Sequence, residues 1–174
     1  MKYLEGGKYV RYSTSEDNRV AHRFAEEIIA MCPENPIAYV FMANVYMMHN
    51  YTIQASGMPP KESIEKGIEM AQKALAMDDT IGQAHGFLGE LYLQKKEFDK
   101  AITESERAVA LDPGGTDVYL RYVKCLGYAG RFEEAISAPQ KAIRLNPFAG
   151  PATFLHLGHA LWGAGRLEEG GFGI

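Results

Sequence analysis

Two stretches of this chain repeat one another at an offset of 34 residues. Eight positions correspond, six of them identical: Leu88, Gly89, Phe98, Ala101, Ile102, Ala108, Leu111 and Pro113 recur as Tyr122, Val123, Phe132, Ala135, Ile136, Ala142, Leu145 and Pro147. A period of this length is typical of a helix–turn–helix unit that cannot bury its apolar face alone and must stack on neighbours. The repeat therefore predicts an all-α chain that folds as an α-solenoid.

The clearest unit of the repeat runs from Gly82 to Gly115. Its first half has apolar residues at i, i+4, i+7 and i+8, which places them on one face of a helix: Ala84, Leu88, Leu91 and Tyr92. A polar turn over 95–97 precedes a second amphipathic stretch, and Pro113 ends it because proline cannot continue a helix. Each predicted helix thus has one stripe available for burial.

The repeat register divides the chain into five approximate units within a single solenoid domain. Their ranges are 1–34, 35–81, 82–115, 116–149 and an incomplete 150–174. The second unit contains a predicted loop from Met47 to Ser63 that is about a dozen residues longer than a tight turn, and long insertions often carry function. Pro139 lies inside the second helix of the fourth unit, where we expect a kink.

Composition excludes several classes of partner. The chain has 18 Lys and Arg residues against 22 Asp and Glu residues, a formal net charge of −4, and no run of basic residues. We therefore expect no nucleic-acid partner. No stretch reaches the roughly 20 apolar residues that span a bilayer, and the start lacks the apolar segment of a secretory signal. We expect a cytoplasmic protein with no membrane association.

The residues of the repeat resemble tetratricopeptide repeats. The best match is Leu88-Gly89, Tyr92, Phe98, Ala101, Ala108 and Asp112-Pro113, followed by Phe132, Ala135, Ala142 and Pro147. The run from Thr14 to Asn18, the long insertion ending at Ser63, and 145–148 further resemble the repeat region C-terminal to bacterial class III adenylate/guanylate cyclases. This second resemblance implies a regulatory or scaffolding segment without catalytic activity of its own.

The resemblance also implies where a partner binds, since the first helices of such repeats line a concave surface. Their side chains that are not used for packing form a mixed polar and apolar groove suited to a peptide or partner protein. By register these are Asn44, Met47, Met48, Phe87, Glu90, Leu93, Arg121, Lys124, Tyr128, His156, His159 and Trp162. The alternative is that the long loop or a dimer partner fills this groove.

Some tetratricopeptide repeat domains hold the C-terminal carboxylate of chaperones with Lys, Asn and Arg side chains. The matching positions here are Val40, Asn44, Phe87, Asp117 and Arg121. Only Asn44 and Arg121 keep the required type of residue, and Asp117 would repel a carboxylate. The sequence therefore argues against such a clamp.

Catalytic and metal-binding signals are weak. His156 and His159 lie at i and i+3, but no Cys, Asp or Glu at a diagnostic spacing accompanies them, so we expect no metal site and no other cofactor. No Ser/His/Asp or Cys/His set occurs in a context that would expose a nucleophile. We expect a protein that is not an enzyme.

Together these features predict a protein–protein interaction scaffold that binds a peptide or partner protein in its concave groove as a regulatory segment of a larger signalling protein. Alanine at Arg121 and Lys124 together is expected to weaken an acidic partner and leave folding intact. The alternative function is homodimerisation through an uncapped C-terminal face at Leu161 and Trp162, which would bring attached catalytic domains together.

Overall fold

The computed structural model describes residues 15–49, 58–145 and Gly158. Within these residues the chain forms helices and turns and no strand. The helices are α1 (Ser15–Met31), α2 (Pro36–His49), α3 (Pro60–Met77), α4 (Gly82–Gln94), α5 (Phe98–Leu111), α6 (Thr116–Tyr128) and α7 (Phe132–Leu145). The predicted all-α solenoid is confirmed.

Each helix packs against the next one along the chain, and the first helices of successive units also contact one another. Thus α2 touches α4, and α4 touches α6. This second set of contacts builds a row of first helices, α2, α4 and α6, on which the predicted groove residues lie. The second helices α3 and α5 pack between successive members of that row, and α7 packs against α6.

Small residues allow α4 and α5 to approach closely. Ala101, Ser105 and Ala108 of α5 are completely buried. A Cβ atom on Gly89 of α4 would lie 2.5 Å from Ser105 Oγ and 2.9 Å from the Ala101 carbonyl oxygen. Because a backbone atom forms part of that contact, no rotamer change relieves it, and the α4–α5 contact requires glycine at position 89.

The turn after α4 ends the helix in a Schellman motif. The Lys96 N–H donates to the Leu93 carbonyl and the Glu97 N–H to the Tyr92 carbonyl, both at 2.9 Å. The same two bonds recur 34 residues later, around Gly130. Lys96 and Gly130 have φ angles of 63° and 76°, in the left-handed region that costs a side-chain-bearing residue roughly 1 kcal/mol.

One expectation about local structure needs revision. The long loop is shorter than predicted, because Met47 lies in α2 and Ser63 lies in α3, where its hydroxyl donates to the Tyr46 carbonyl at 2.7 Å. The helix α7 contains Pro139 and runs from Phe132 to Leu145, and the kink expected at Pro139 stays a prediction.

Candidate partner-binding groove

The first-helix row carries nine of the twelve predicted groove residues in the described part of the structure. They comprise Asn44, Met47 and Met48 on α2, Phe87, Glu90 and Leu93 on α4, and Arg121, Lys124 and Tyr128 on α6. The remaining three, His156, His159 and Trp162, lie outside the described residues. Helical periodicity explains the arrangement, because positions three or four residues apart share a face.

Glu90 of α4 joins two cations of α6. The Lys124 Nζ donates to Glu90 Oε1 at 2.5 Å, and Arg121 Nε lies 3.3 Å from Glu90 Oε2. Glu90 is only 7% exposed. A carboxylate this well buried needs charge partners, and the two cations supply them from the neighbouring unit.

The Arg121 side chain is fixed from two further directions. Its guanidinium carbon lies 4.6 Å from the centre of the Phe87 ring, and its Nη1 donates to the Asp117 carbonyl oxygen at 3.0 Å. Stacking on an aromatic face and bonding to a backbone carbonyl both hold the planar guanidinium in place. Arg121 is therefore positioned before any partner arrives.

Two neighbouring hollows open beside this cluster. The first, which we call the polar hollow, has a volume of about 250 Å³ and is lined by Glu90, Asp117, Leu120, Arg121 and Lys124. The second, the apolar hollow, has a volume of about 420 Å³ and is lined by Leu93, Gln94, Lys96, Phe98, Lys124 and Tyr128. Lys124 lines both, so the two hollows are direct neighbours beside α4 and α6.

Several predicted groove residues belong to the core instead of an open surface. Met47 and Phe87 are buried together with Leu91, where α2, α3 and α4 meet. Met48 is half-buried against the same part of the core, and Asn44 is also half-buried. The register did not show how deeply the next unit covers these positions.

Burial of Glu90 also changes the expectation for its partners. Alanine at Arg121 and Lys124 together would leave Glu90 without these two cations inside the protein. Removing the partners of a buried charge is strongly destabilising, so this double substitution would not leave folding intact. It therefore cannot separate loss of binding from loss of structure.

Three residues that line the apolar hollow were not predicted from the sequence. Gln94 ends α4, Lys96 lies in the following turn, and Phe98 begins α5. The register considered only the middle of each first helix, whereas the hollow extends over the turn. Lys96 did carry a usable signal, because the matching residue in the next unit is Gly130.

The positions that match a chaperone carboxylate clamp are occupied differently here. Val40 and Phe87 are buried, and Arg121 is paired with Glu90. Asp117 lines the polar hollow and places a further acid beside it. These positions therefore lack the free cations that a carboxylate clamp needs.

A separate cluster lies where α1 meets α2. The His22 ring of α1 stacks on His49 of α2 with ring centres 5.8 Å apart, and its Nε2 lies 3.3 Å from the Tyr46 hydroxyl. Burial, and next the neighbouring His22, lower the pKa of His49 from its usual value to about 4. His49 borders a pocket of about 340 Å³ lined also by Arg19, His22, Arg23, Glu26 and Met58.

The described part of the chain gives little support to metal binding or to a reactive cysteine. Residues 15–49 and 58–145 contain no group of three or more His, Cys, Asp or Glu side chains placed to hold a metal ion. Burial raises the pKa of the Cys125 thiol to about 11, although Ser105 donates a hydrogen bond to it. At neutral pH this thiol stays protonated and unreactive.

The fold defines a helical-repeat protein with open hollows beside its first-helix row. Two family models match the chain, and both are described as tetratricopeptide repeat, one at residues 62–116 and the other at 116–148. Their combined range, 62–148, is half of the chain. The chain belongs to the tetratricopeptide repeat family, whose members commonly mediate protein–protein interactions and generally act as non-catalytic scaffolds.

Among curated proteins, the transcriptional regulator HilA of Salmonella typhimurium is 25% identical over 147 residues, which cover 84% of this chain and 26% of HilA. The chain spans about a quarter of the length of the curated relatives it matches. No helix in the described ranges is long and apolar enough to cross a bilayer.

Solved structures agree on the fold. TTC0263, a thermophilic TPR protein of Thermus thermophilus, has a TM-score of 0.73 at 18% identity over 83% of this chain and 73% of that one. The second TPR domain of human RPAP3, solved in complex with the HSP70 peptide SGPTIEEVD, has a TM-score of 0.55 at 15% identity over 72% and 98% of the two chains. At these identities the likeness shows the fold alone.

Proposed function

We propose that this chain is a non-enzymatic scaffold that binds a peptide or a peptide-like segment of a partner protein along the first-helix row. One observation carries the proposal: the polar and apolar hollows open side by side along α4 and α6 and share Lys124. A groove that offers charged groups beside an apolar floor suits an extended or helical peptide.

The charged part of the groove is organised before a partner arrives. Glu90 holds Lys124, and the Phe87 ring and the Asp117 carbonyl hold Arg121. Side chains that are already ordered lose less conformational entropy when a partner binds. The peptide-bound TPR domain of RPAP3 supports the proposal at the level of the fold. Its mode of binding need not carry over, because the clamp positions differ here.

A more specific point concerns the cellular role of this repeat region. A cytoplasmic role as a regulatory segment of a larger signalling protein, as implied by the resemblance to the repeats C-terminal to class III cyclases, stays a prediction. The small share of each curated relative that this chain covers is compatible with such a segment.

A peptide selection with a footprint tests the groove. A phage-displayed library of random 12-residue peptides is selected on the full chain, and the best binder is synthesised. Oxidation by hydroxyl radicals is then compared with and without that peptide. We expect protection of Tyr128, which is exposed on the first-helix row, and no protection of Met31 and Met77, which are exposed on α1 and α3.

The same experiment can reject the proposal. Failure to select any peptide would contradict it, as would protection of Met31 or Met77 with none at Tyr128. The methionine controls matter because a general change in stability would alter oxidation on both rows of helices, whereas a bound peptide covers one row.

A further inference from the structure

The apolar hollow combines exposed aromatic surface with cations. Tyr128 is 69% exposed and Phe98 is 37% exposed, and Leu93 forms part of the same lining. Lys96 and Lys124 complete it, and the lining residues include no Asp or Glu in the part of the chain that the structure describes. Large apolar side chains left open beside lysines are typical of an interaction site.

Lys96 is held in an unfavourable backbone conformation at the edge of this hollow. Its φ angle of 63° lies in the left-handed region, and the matching residue one unit later is Gly130 at 76°. Glycine adopts this conformation without the steric cost that a lysine side chain carries. A strained residue beside an open pocket points to a role for its side chain, because a glycine would serve the turn better.

The two lysines present their charge differently. Lys124 is held by Glu90 at 2.5 Å, whereas Lys96 is exposed and forms no ion pair with a described residue. The surface thus retains an excess positive charge beside the hollow even though the whole chain has a net charge of −4. Local positive charge on an acidic protein selects for acidic partners and against basic ones.

We propose that the apolar hollow is the anchor pocket of the groove, and that it takes a large apolar side chain from an acidic peptide segment. The proposal rests on the proposed function and specifies the chemistry of its partner. The volume of about 420 Å³ falls within the range of specific ligand pockets. Lys96 contacts a partner carboxylate next to the anchor residue, and Lys124 lies between the anchor pocket and the polar hollow.

The test uses the peptide selected from the random 12-residue library together with two analogues of it. In one analogue every acid is replaced by its amide, and in the other the large apolar residue is replaced by glycine. Binding is measured by fluorescence anisotropy at low and high salt. We expect the selected peptides to be acidic with at least one large apolar residue, both analogues to bind more weakly, and salt to weaken binding.

Variants of the protein locate the contacts. Tyr128→Ala is expected to weaken binding about 10-fold or more by removing an aromatic anchor surface. Lys96→Gly is expected to weaken it about 3-fold, as for an exposed ion pair. Lys96→Arg should retain affinity, and Lys61→Ala, which removes an exposed lysine at the start of α3, is the matched control and should leave affinity unchanged.

The Lys96→Gly variant has two expected effects of opposite sign. Relief of the left-handed strain should raise Tm by about 2 °C while affinity falls. A merely structural lysine would change stability alone. Circular dichroism before each titration checks that every variant retains its helices.

Two kinds of failure are distinguishable. If no peptide is selected, or if the footprint misses the first-helix row, the proposed function fails and this inference fails with it. If peptides are selected that are basic or uncharged, or whose affinity is unaffected by Tyr128→Ala and Lys96→Gly, the groove function stands and the anchor pocket is rejected.

Discussion

At the scale of single residues, Gly89 leaves little room for a side chain. Substitution by alanine would place a Cβ 2.5 Å from Ser105 Oγ and 2.9 Å from the Ala101 carbonyl oxygen. We expect Gly89→Ala to lower the free energy of unfolding by about 2 to 3 kcal/mol, because α4 and α5 must move apart. Urea unfolding followed by circular dichroism measures the change.

Gly127 provides the matched control, since it also lies in a first helix but has open space around its Cβ position. Gly127→Ala should raise the free energy of unfolding by about 0.5 to 1 kcal/mol, because alanine favours the helix. Equal effects of the two substitutions would mean that helix propensity, and not the contact with α5, decides the outcome at Gly89.

The candidate site shows what a sequence register can and cannot supply. It placed Glu90, Leu93, Lys124 and Tyr128 on the side that lines the hollows, because a helical period fixes the face of each position. Periodicity could not show that Glu90 forms an ion pair with Lys124, because that pairing depends on the distance between two packed helices. The groove is accordingly less positive than its sequence implied.

At the scale of elements, the repeated turns explain why the helix ends were predictable. Lys95 to Glu97 and the residues around Gly130 form the same Schellman motif, and the polar residues and glycine that mark it are visible in the sequence. The connection between α2 and α3 has no such counterpart in the repeat, so its predicted bounds were too wide.

The contact between α1 and α2 is expected to weaken in acid. His49 is 6% exposed and its pKa is lowered to about 4, so the unfolded chain binds a proton more readily than the folded one. The stabilisation is complete above the unfolded pKa of about 6.5 and is lost as pH falls toward 4. Between pH 7 and pH 5 this amounts to about 2 kcal/mol.

Urea unfolding at pH 7 and pH 5 measures this loss in the wild type and in His49→Leu. The leucine variant removes the titrating group and should lose about 2 kcal/mol less across the same interval. The comparison cancels the contributions of Arg19, Arg23, Glu26 and Tyr46, which both proteins retain around the site, but not the coupling between His22 and His49. Parallel pH profiles for the two proteins would show that His49 does not titrate differently on folding.

At the scale of the whole molecule, contacts among the described helices join only neighbours and next-but-one neighbours along the chain. Such a solenoid resembles a row of units whose stability is the sum of local terms and the contacts between adjacent units. Oligomeric state belongs to this scale too. The alternative of homodimerisation at Leu161 and Trp162 stays a prediction, because both residues lie outside the described ranges.

Because the described helices contact only near neighbours along the chain, a destabilising substitution should affect mainly the helices around it. Gly89→Ala weakens the contact between α4 and α5, so hydrogen exchange measured by mass spectrometry should accelerate most in α4 and α5. The helices α1 and α2 should retain most of their protection, because α1 contacts neither of the disturbed helices and α2 keeps its contacts with α1 and α3. Gly127→Ala should accelerate exchange in none of these helices. An equal loss of protection in α1 and α5 would instead show that the described helices unfold as one cooperative unit, in which case a partner bound at the α4–α6 groove would stabilise α1 as strongly as the helices it touches.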